Sequence, residues 1–474
     1  MILTLLGGGG FRVPLVFSAL LADHGPGRVT ALRLFDTDAT RLAVVAKVLA
    51  EMAEGVPDAP TVTLYTELSA ALPGTDFIFS AIRVGGLEGR AADERIALQH
   101  GVIGQETVGA GGISYALRTI PVVVGIAEAV RKYAPHAWFI NFTNPAGVIT
   151  EVMMRFLGDK VVGICDSPVG LARRCLSAAG VRGVDVRGER VEIDYIGLNH
   201  LGWLRGLAVD GEDVLPRLLA DAAAIESFEE GRLFGAPWIQ ALGAVPNEYL
   251  HYYYFRREAL DADGRASDTR GAYLERQQSA FYEGLRPGNH EAGNHEAGNH
   301  DAGRPVPREG GGKPALRLWE KTKLDREETY MKSNRDAAGA FERDPADLES
   351  GGYEGVALAI MRAISQGETA RLILNVPNGA TLAELGPEAV IEAPCLVDAD
   401  GARPLPARPL PDYARGLVVN AKAVEQATIE AALTGSRRAA YKAFAMNPLV
   451  DSVRVARGLL DDYIGHFPQL GYLR

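Results

Sequence analysis

Three stretches of the chain predict an α/β fold that opens with a Rossmann-type dinucleotide-binding domain. The first is a short apolar run, Ile2 to Leu6, which breaks at once into Gly7, Gly8, Gly9 and Gly10 and resumes as a helical pattern from Val13 to Leu21. Strand, glycine turn and helix make the opening of a βαβ unit, where backbone N–H groups and the helix N-terminus receive a pyrophosphate. The second is the strand Thr30 to Phe35, closed by Asp36. The third runs from Trp138 to Gly170. There, two buried-strand runs, Trp138 to Ile140 and Val161 to Ile164, end on Asn141 to Pro145 and on Cys165 and Asp166. Neighbouring parallel strands would bring Asn144, Cys165 and Asp166 to one carboxyl edge, the edge at which open α/β sheets bind ligands.

Gly7 and Gly9 occupy the first two positions of G-x-G-x-x-G, while Arg12 stands at the third. Asp36 lies near the place of the acid that binds the adenosine ribose hydroxyls, and a carboxylate there selects NAD over NADP because it repels a 2′-phosphate. The apolar run Phe77 to Ile82 leads to Arg83, Val84, Gly85 and Gly86, and then to a segment that sets Arg90, Arg95, Glu106 and Arg118 among six glycines between Gly89 and Pro121. That composition reads as glycine-rich loops bringing backbone and guanidinium groups close to an anionic polar ligand. Asn144 and Pro145 suit the N-cap and first residue of a helix. The run VEIDYIGLNH reads as a further strand ending on Asn199 and His200. A Cys165 thiolate and a His200 imidazole are a donor pair for a first-row transition metal without naming which.

Farther along, Leu204 to Ala244 reads as amphipathic helix, and PNEYLHYYYFRRE follows with Tyr249, Tyr252, Tyr253 and Tyr254. Tyrosines at i, i+3 and i+4 share a helix face. One of them serves as a base only beside a metal or cation, because tyrosine ordinarily titrates at about 10. Residues 264–313 carry the poorest pattern, with a low-complexity insertion near 284–313. GNHEA repeats from Gly288 to Ala302 and carries His290, His295 and His300, in a composition too polar and glycine-rich to bury a core, so it reads as a solvated insertion rather than a metal site. Order resumes with a helix from Tyr353 to Gln366, a strand from Arg371 to Val376 and a β-type run ending at Cys395. Helices at Asn420 to Leu433, Ser436 to Ala445 and Val450 to His466 then suggest a mixed domain with few strands, packed on the first. The resulting division is a dinucleotide-binding domain over 1–165 and a catalytic α+β domain over 166–474.

A chain of 474 residues with 47% hydrophobic and 23% charged residues is long enough for two or three domains. Its net charge of −11 argues against a nucleic-acid partner, since binding a phosphate backbone needs a basic face. Three cysteines, Cys165, Cys175 and Cys395, make no disulfide framework, and the first residues read as a strand rather than a signal peptide. The sequence-based expectation is a cytoplasmic protein with reduced thiols and no membrane span.

Several motifs together carry a family resemblance: Gly7 to Gly10, RVGGLEGR at Arg83 to Arg90, HGVIGQETVGAGG at His100 to Gly112, NFTNPAG at Asn141 to Gly147, GICDSP at Gly163 to Pro168, GLNHLGW at Gly197 to Trp203, and NEYLHYY at Asn247 to Tyr253. With them the chain resembles the NAD- and metal-dependent glycosidases of glycoside hydrolase family 4, most like the 6-phospho-β-glucosidases. The resemblance implies a second domain of the lactate and malate dehydrogenase kind. It implies NAD contacts at Gly7, Gly8, Gly9, Asp36 and Arg83, and Cys165 and His200 as ligands of Mn²⁺ or another divalent metal. It further implies Asp166 as proton donor to the leaving group, a place where members cleaving 6-phospho-β-glucosides often carry Asn. Tyr249 falls at the base, Glu106 at its supporting carboxylate, and Arg90, Asn144 and Arg270 at substrate contacts. The implied reaction is hydrolysis of a 6-phospho-β-glucoside by oxidation at C3, elimination, addition of water and reduction, in a homodimer or homotetramer. The alternatives are an α-specific or non-phosphorylated glycosidase of the same family, a malate- or lactate-type 2-hydroxy-acid dehydrogenase, and a non-catalytic NAD-sensing protein.

Overall fold

In a computed structural model, residues 1–286, 313–345, 347 and 352–474 are described. The histidine repeat lies outside the described residues. Thirteen strands join in one sheet. They are β1 (Ile2–Leu6), β2 (Ala31–Phe35), β3 (Thr61–Tyr65), β4 (Phe77–Ser80), β5 (Trp138–Asn141), β6 (Val161–Gly163), β7 (Val191–Leu198), β8 (Leu201–Val209), β9 (Glu212–Asp213), β10 (Val245–Pro246), β11 (Ala370–Pro377), β12 (Val390–Asp398) and β13 (Gly401–Pro404).

The first six pair in parallel in the order β3-β2-β1-β4-β5-β6, the arrangement of an open, doubly wound dinucleotide-binding sheet with a switch point between β1 and β4. The continuous apolar runs of β1, β4, β5 and β6 follow from burial on both faces, whereas the edge strand β3 is largely exposed. The helices Val13–Ala22, Ala39–Ala53 and Tyr353–Gln366 contribute to the core on one face. Gly109–Tyr133, Ala146–Leu157 and the C-terminal helices Asp412–Thr434, Arg437–Met446 and Val453–His466 cover the other. Helix Gly109–Tyr133 is long and apolar enough to cross a membrane, contrary to the reading that no run approaches that length, yet 67% of its apolar window is buried inside the protein. Beyond β6 the sheet continues antiparallel through β11, β12, β7, β8 and β10.

Four sequence-based expectations are corrected. Leu204 to Ala244 is not one helix: it holds most of β8, then the short helices Leu215–Ala220, Ala222–Ile225, Glu229–Phe234 and Ala236–Leu242. The run LGWLRGLAV is buried on both faces over most of its length, and that hides the two-residue alternation by which a strand is recognised. For the same reason the second half holds many strands rather than few. Gly89 to Pro121 is mostly helix, Gly86–Gln99 and Gly109–Tyr133, around a short connection. Gly104, Gly111 and Gly112 serve close packing: a Cβ on Gly111 would lie 2.2 Å from the Gln105 carbonyl oxygen. Helix Ala146–Leu157 starts one residue later than expected, with Pro145 at the cap position and no side-chain cap from Asn144.

Arg118 is also taken up by the fold rather than by a ligand. Its guanidinium, about 1% exposed, donates to both Asp93 carboxylate oxygens, at 2.8 and 2.5 Å, and to Ser114 Oγ at 2.7 Å, joining the helices Gly86–Gln99 and Gly109–Tyr133. Replacing Asp93 by Ala strands a buried cation and is expected to cost about 3–5 kcal/mol of unfolding free energy, read from urea denaturation. A cost within the error of the measurement would contradict the pairing.

Candidate active site

The loops at the ends of β1, β2, β4, β5 and β6 open onto one cleft of about 1630 Å³, which also receives residues from 200–273 and 326–355. At one end lies the glycine turn. Gly7 and Gly8 N–H groups donate to the Phe35 carbonyl at 3.0 and 2.8 Å, and Gly9 N–H donates to Asp36 Oδ2 at 3.0 Å. Gly7 has φ +85, and a Cβ there would stand 2.7 Å from the Ala81 carbonyl oxygen, so the turn is wedged between β2 and β4. Asp36 also accepts from Asp38 N–H at 3.1 Å. Its oxygens keep spare lone pairs in the cleft, as a ribose diol requires. Strand order, glycine turn and carboxylate therefore fit a dinucleotide.

In place of the third glycine, Arg12 projects into the cleft. Its guanidinium lies 5.9 and 5.5 Å from the rings of Phe142 and Tyr353, 3.8 Å from Asp166 and 3.9 Å from Glu327. Asp166 caps the helix Ser167–Ala178 by backbone position alone, with no side-chain capping bond, leaving its carboxylate in the cleft. Asn144 lines the same cleft with a buried, unpartnered Oδ1 among the described residues.

Cys165 follows β6, and His200 sits in the β7–β8 turn with φ +62. Thr107 spends its hydroxyl proton on Gln105 Oε1 at 3.0 Å, so at 3.1 Å from His200 it accepts from Nδ1–H. That fixes the tautomer with a free Nε2 lone pair, the form in which imidazole binds a metal. Burial holds the His200 pKa down at about 4, keeping the ring neutral. Burial, followed by the negative charge of Glu392, raises the Cys165 thiol well above its usual range, so thiolate formation there awaits a cation. No group of three or more His, Cys, Asp or Glu side chains converges among the described residues. A soft sulfur and one imidazole, open to a large cleft, fit a catalytic metal whose remaining positions belong to substrate and water.

Glu106 and its neighbours form the charged wall. Glu106 pairs with Arg83 and, at 2.6 Å, with Arg90 Nη1; Arg90 Nε also reaches Glu94 at 2.8 Å. Burial by itself would raise the Glu106 pKa, but Arg83 and Arg90 overcome it and hold it at about 2. Arg270, the first residue of the helix Arg270–Leu285, donates to the hydroxyl of Thr329 and to the carbonyl of Arg326 at 2.7 Å. Burial and the adjacent charges of Arg90 and Arg326 bring its pKa down to about 9. Arg326 is lowered to about 10 by burial and by Arg12. Arginines titrate this low only where cations crowd together out of water.

Tyr249 belongs to the turn Glu248–Leu250, which Asn247 caps by accepting from Tyr249 N–H at 3.1 Å. Its ring stacks on His200, with centroids 3.7 Å apart, and Tyr330 donates to its hydroxyl at 3.2 Å. Burial, then the charge of Glu248, push the Tyr249 hydroxyl well up. Of the other tyrosines in that run, Tyr254 is engaged by Trp203 Nε1 at 3.0 Å and Tyr253 packs on the core.

The structure thus gathers Glu106, Asn144, Cys165, Asp166, His200, Tyr249, Arg83, Arg90, Arg270, Gly7 and Asp36 around one cleft, with Gly8 and Gly9 in the turn at its nucleotide end. Sequence reasoning missed Thr107, Arg326, Tyr330 and the role of Arg12. Arg12 carried a signal, since a side chain replaces the third glycine. Arg326 carried none, because an arginine in a charged helix reads as solvated.

The profile of family 4 glycosyl hydrolases matches residues 2–181, and that of the family 4 C-terminal domain matches residues 195–450. A probable 6-phospho-beta-glucosidase of Bacillus subtilis is 30% identical over 97% of this chain and 94% of its own. A 6-phospho-alpha-glucosidase of Leptotrichia buccalis is 29% identical over 97% and 96%. The crystal structure of the Thermotoga maritima 6-phospho-beta glucosidase with NAD and glucose-6-phosphate superposes with a TM-score of 0.77, at 26% identity over 98% of each chain.

Because its folded pKa of about 2 lies below the ordinary value of 4.5, Glu106 contributes stability above the unfolded pKa and loses it as pH falls toward the folded one. The stability gap between the parent and Glu106→Gln is therefore expected to be widest near neutrality and to narrow below about pH 4.5, followed by urea midpoints at stepped pH. A gap that widens on acidification would reverse the assignment.

Proposed function

The chain belongs to family 4 of the glycosyl hydrolases, and from that premise we propose that it hydrolyses 6-phosphoglucosides, using NAD and a divalent metal, Mn²⁺ by family resemblance. The observation that carries the phosphorylated substrate is the arginine cluster of Arg90, Arg270 and Arg326. In a chain of net charge −11, Arg270 and Arg326 are held below the ordinary arginine range by burial and by neighbouring guanidinium groups, Arg90 among them, and an anion such as a phosphate dianion would relieve them.

When bound, NAD⁺ would supply a reversible hydride acceptor, and a metal held by Cys165 and His200 would supply a Lewis acid. The chain's own groups do the rest. Arg90, Arg270 and Arg326 grip the phosphate, and Asn144 offers its free Oδ1 to a sugar hydroxyl. Tyr249, packed against His200, takes the C2 proton once a C3 carbonyl has acidified it. Burial keeps this phenol protonated on its own, so its service as a base needs the cation at Cys165 and His200. Asp166 faces the cleft free of any capping bond and hands a proton to the departing oxygen. Arg83 and Arg90 keep Glu106 ionised, and Glu106 in turn fixes both guanidinium groups.

The first reading is a β-glucosidase, in line with the Bacillus subtilis relative. Asp166 favours α as a second reading, because a proton-donating carboxylic acid stands where β-cleaving members often carry Asn. A homodimer or homotetramer is the proposed assembly.

Nitrophenyl α- and β-glucosides, with and without 6-phosphate, decide substrate and anomer. Turnover is expected only with the 6-phosphate, with Mn²⁺ present and with NAD⁺ in catalytic amount. Stoichiometric consumption of NAD⁺ would instead identify a dehydrogenase, and full activity without NAD⁺ and metal would sink the proposal.

Tyr249→Phe is expected to keep fold and NAD binding while turnover falls by about 10²–10⁴. In deuterated water the parent's product should acquire deuterium at C2. Product free of solvent deuterium, together with an active Tyr249→Phe variant, would exclude deprotonation by this residue.

A further inference from the structure

The two candidate metal donors come from β6 and β7, yet β11 and β12 lie between those strands in the sheet. The gap is bridged by one row of paired residues running Gly163 (β6), Asn375 (β11), Glu392 (β12), Gly197 (β7) and Gly202 (β8). Cys165 follows Gly163 by two residues, and Asn199 follows Gly197 by two. The glycines clear space for polar side chains. A Cβ on Gly163 would meet Asn375 Cβ at 2.7 Å, and one on Gly202 would meet the Tyr195 hydroxyl at 2.4 Å.

Glu392, 1% exposed, occupies the middle of that row. Its Oε2 accepts from the Tyr195 hydroxyl at 3.1 Å, and its Oε1 accepts from Asn199 Nδ2 at 3.1 Å and Asn375 Nδ2 at 3.2 Å. Each grip matters to a different donor. Asn199 immediately precedes His200 in the β7–β8 turn, where His200 has a positive φ of 62°, uncommon for a residue other than glycine. Asn375 is packed against Gly163, at the end of the strand that delivers Cys165.

We infer that Glu392 is a positioning residue for the metal site, tying the Asn199–His200 turn to the Gly163–Cys165 strand end across two intervening strands. The inference rests on the reading of Cys165 and His200 as metal ligands. A buried carboxylate satisfied by three donors from three segments has one arrangement, and groups that orient ligands in this way control metal affinity although they never touch the ion.

The test is titration of the purified protein with MnCl₂, with free Mn²⁺ read by EPR, beside NAD⁺ binding followed by fluorescence and thermal melting in EDTA. Glu392→Gln keeps the shape but replaces one acceptor by a donor, and Asn199→Ala leaves the carboxylate while cutting its hold on the His200 turn. Each is expected to weaken Mn²⁺ binding roughly 10–100-fold with NAD⁺ affinity unchanged, where a merely structural lesion would lower both and the melting temperature. Should Glu392→Gln fail to fold, Asn199→Ala decides alone. Cys165→Ser and His200→Ala separate the two levels of the argument. If Mn²⁺ binding survives both, the metal assignment falls and this inference with it. If it is lost there but intact in Glu392→Gln and Asn199→Ala, the metal assignment stands and the positioning role is overturned.

Discussion

Charge taken out of water has to be compensated, and that constraint organises the cleft. Glu106 is buried between Arg83 and Arg90, and Glu327 meets Arg326 at 3.0 Å, Arg343 at 3.4 Å and Arg12 at 3.9 Å. Each carboxylate is held ionised by guanidinium groups that could not be buried without it. The balance is incomplete at Arg270 and Arg326, which burial and neighbouring guanidinium groups hold below the ordinary arginine range. Guanidinium groups held in place by carboxylates before a ligand arrives suit the binding of an anion with little reorganisation.

The sheet explains how residues so far apart in the chain reach that cleft. Six parallel strands deliver the glycine turn, Asp36, Arg83, Asn144 and Cys165 by the ordinary logic of a doubly wound fold. Antiparallel strands then continue the same sheet and bring His200 from a hairpin. The two halves of the chain consequently share a site rather than face each other across a linker. Tyr282 reaches from the second half to donate to the Gly9 carbonyl at 2.7 Å, and Trp319 to the Phe11 carbonyl at 2.9 Å, so even the nucleotide turn is secured from the second half.

The sequence by itself determined five of the six parallel strands, β3 being the one it did not mark, together with the glycine turn, Asp36 and the polar strand ends at Asn144, Cys165 and Asp166. These are local signals: a strand that stops on polar residues does so within a few positions. Residue chemistry also pointed to Arg90, Glu106, His200 and Tyr249, the family resemblance added their roles and Arg270, and the structure gathers all five around one cleft. Tertiary structure alone decided what cannot be written in neighbouring residues. It separated Arg118, consumed by Asp93, from Arg270, crowded by other arginines, although both are isolated arginines in the chain. It turned Leu204 to Ala244 from an expected helix into a buried hairpin strand and short helices, since burial on both faces erases periodicity. It also aligned Gly163, Asn375, Glu392 and Gly197 in one row, a relation set by pairing across four strands. Hydrogen bonding between strands depends on register in space, and the spacing of these residues along the chain carries no trace of it.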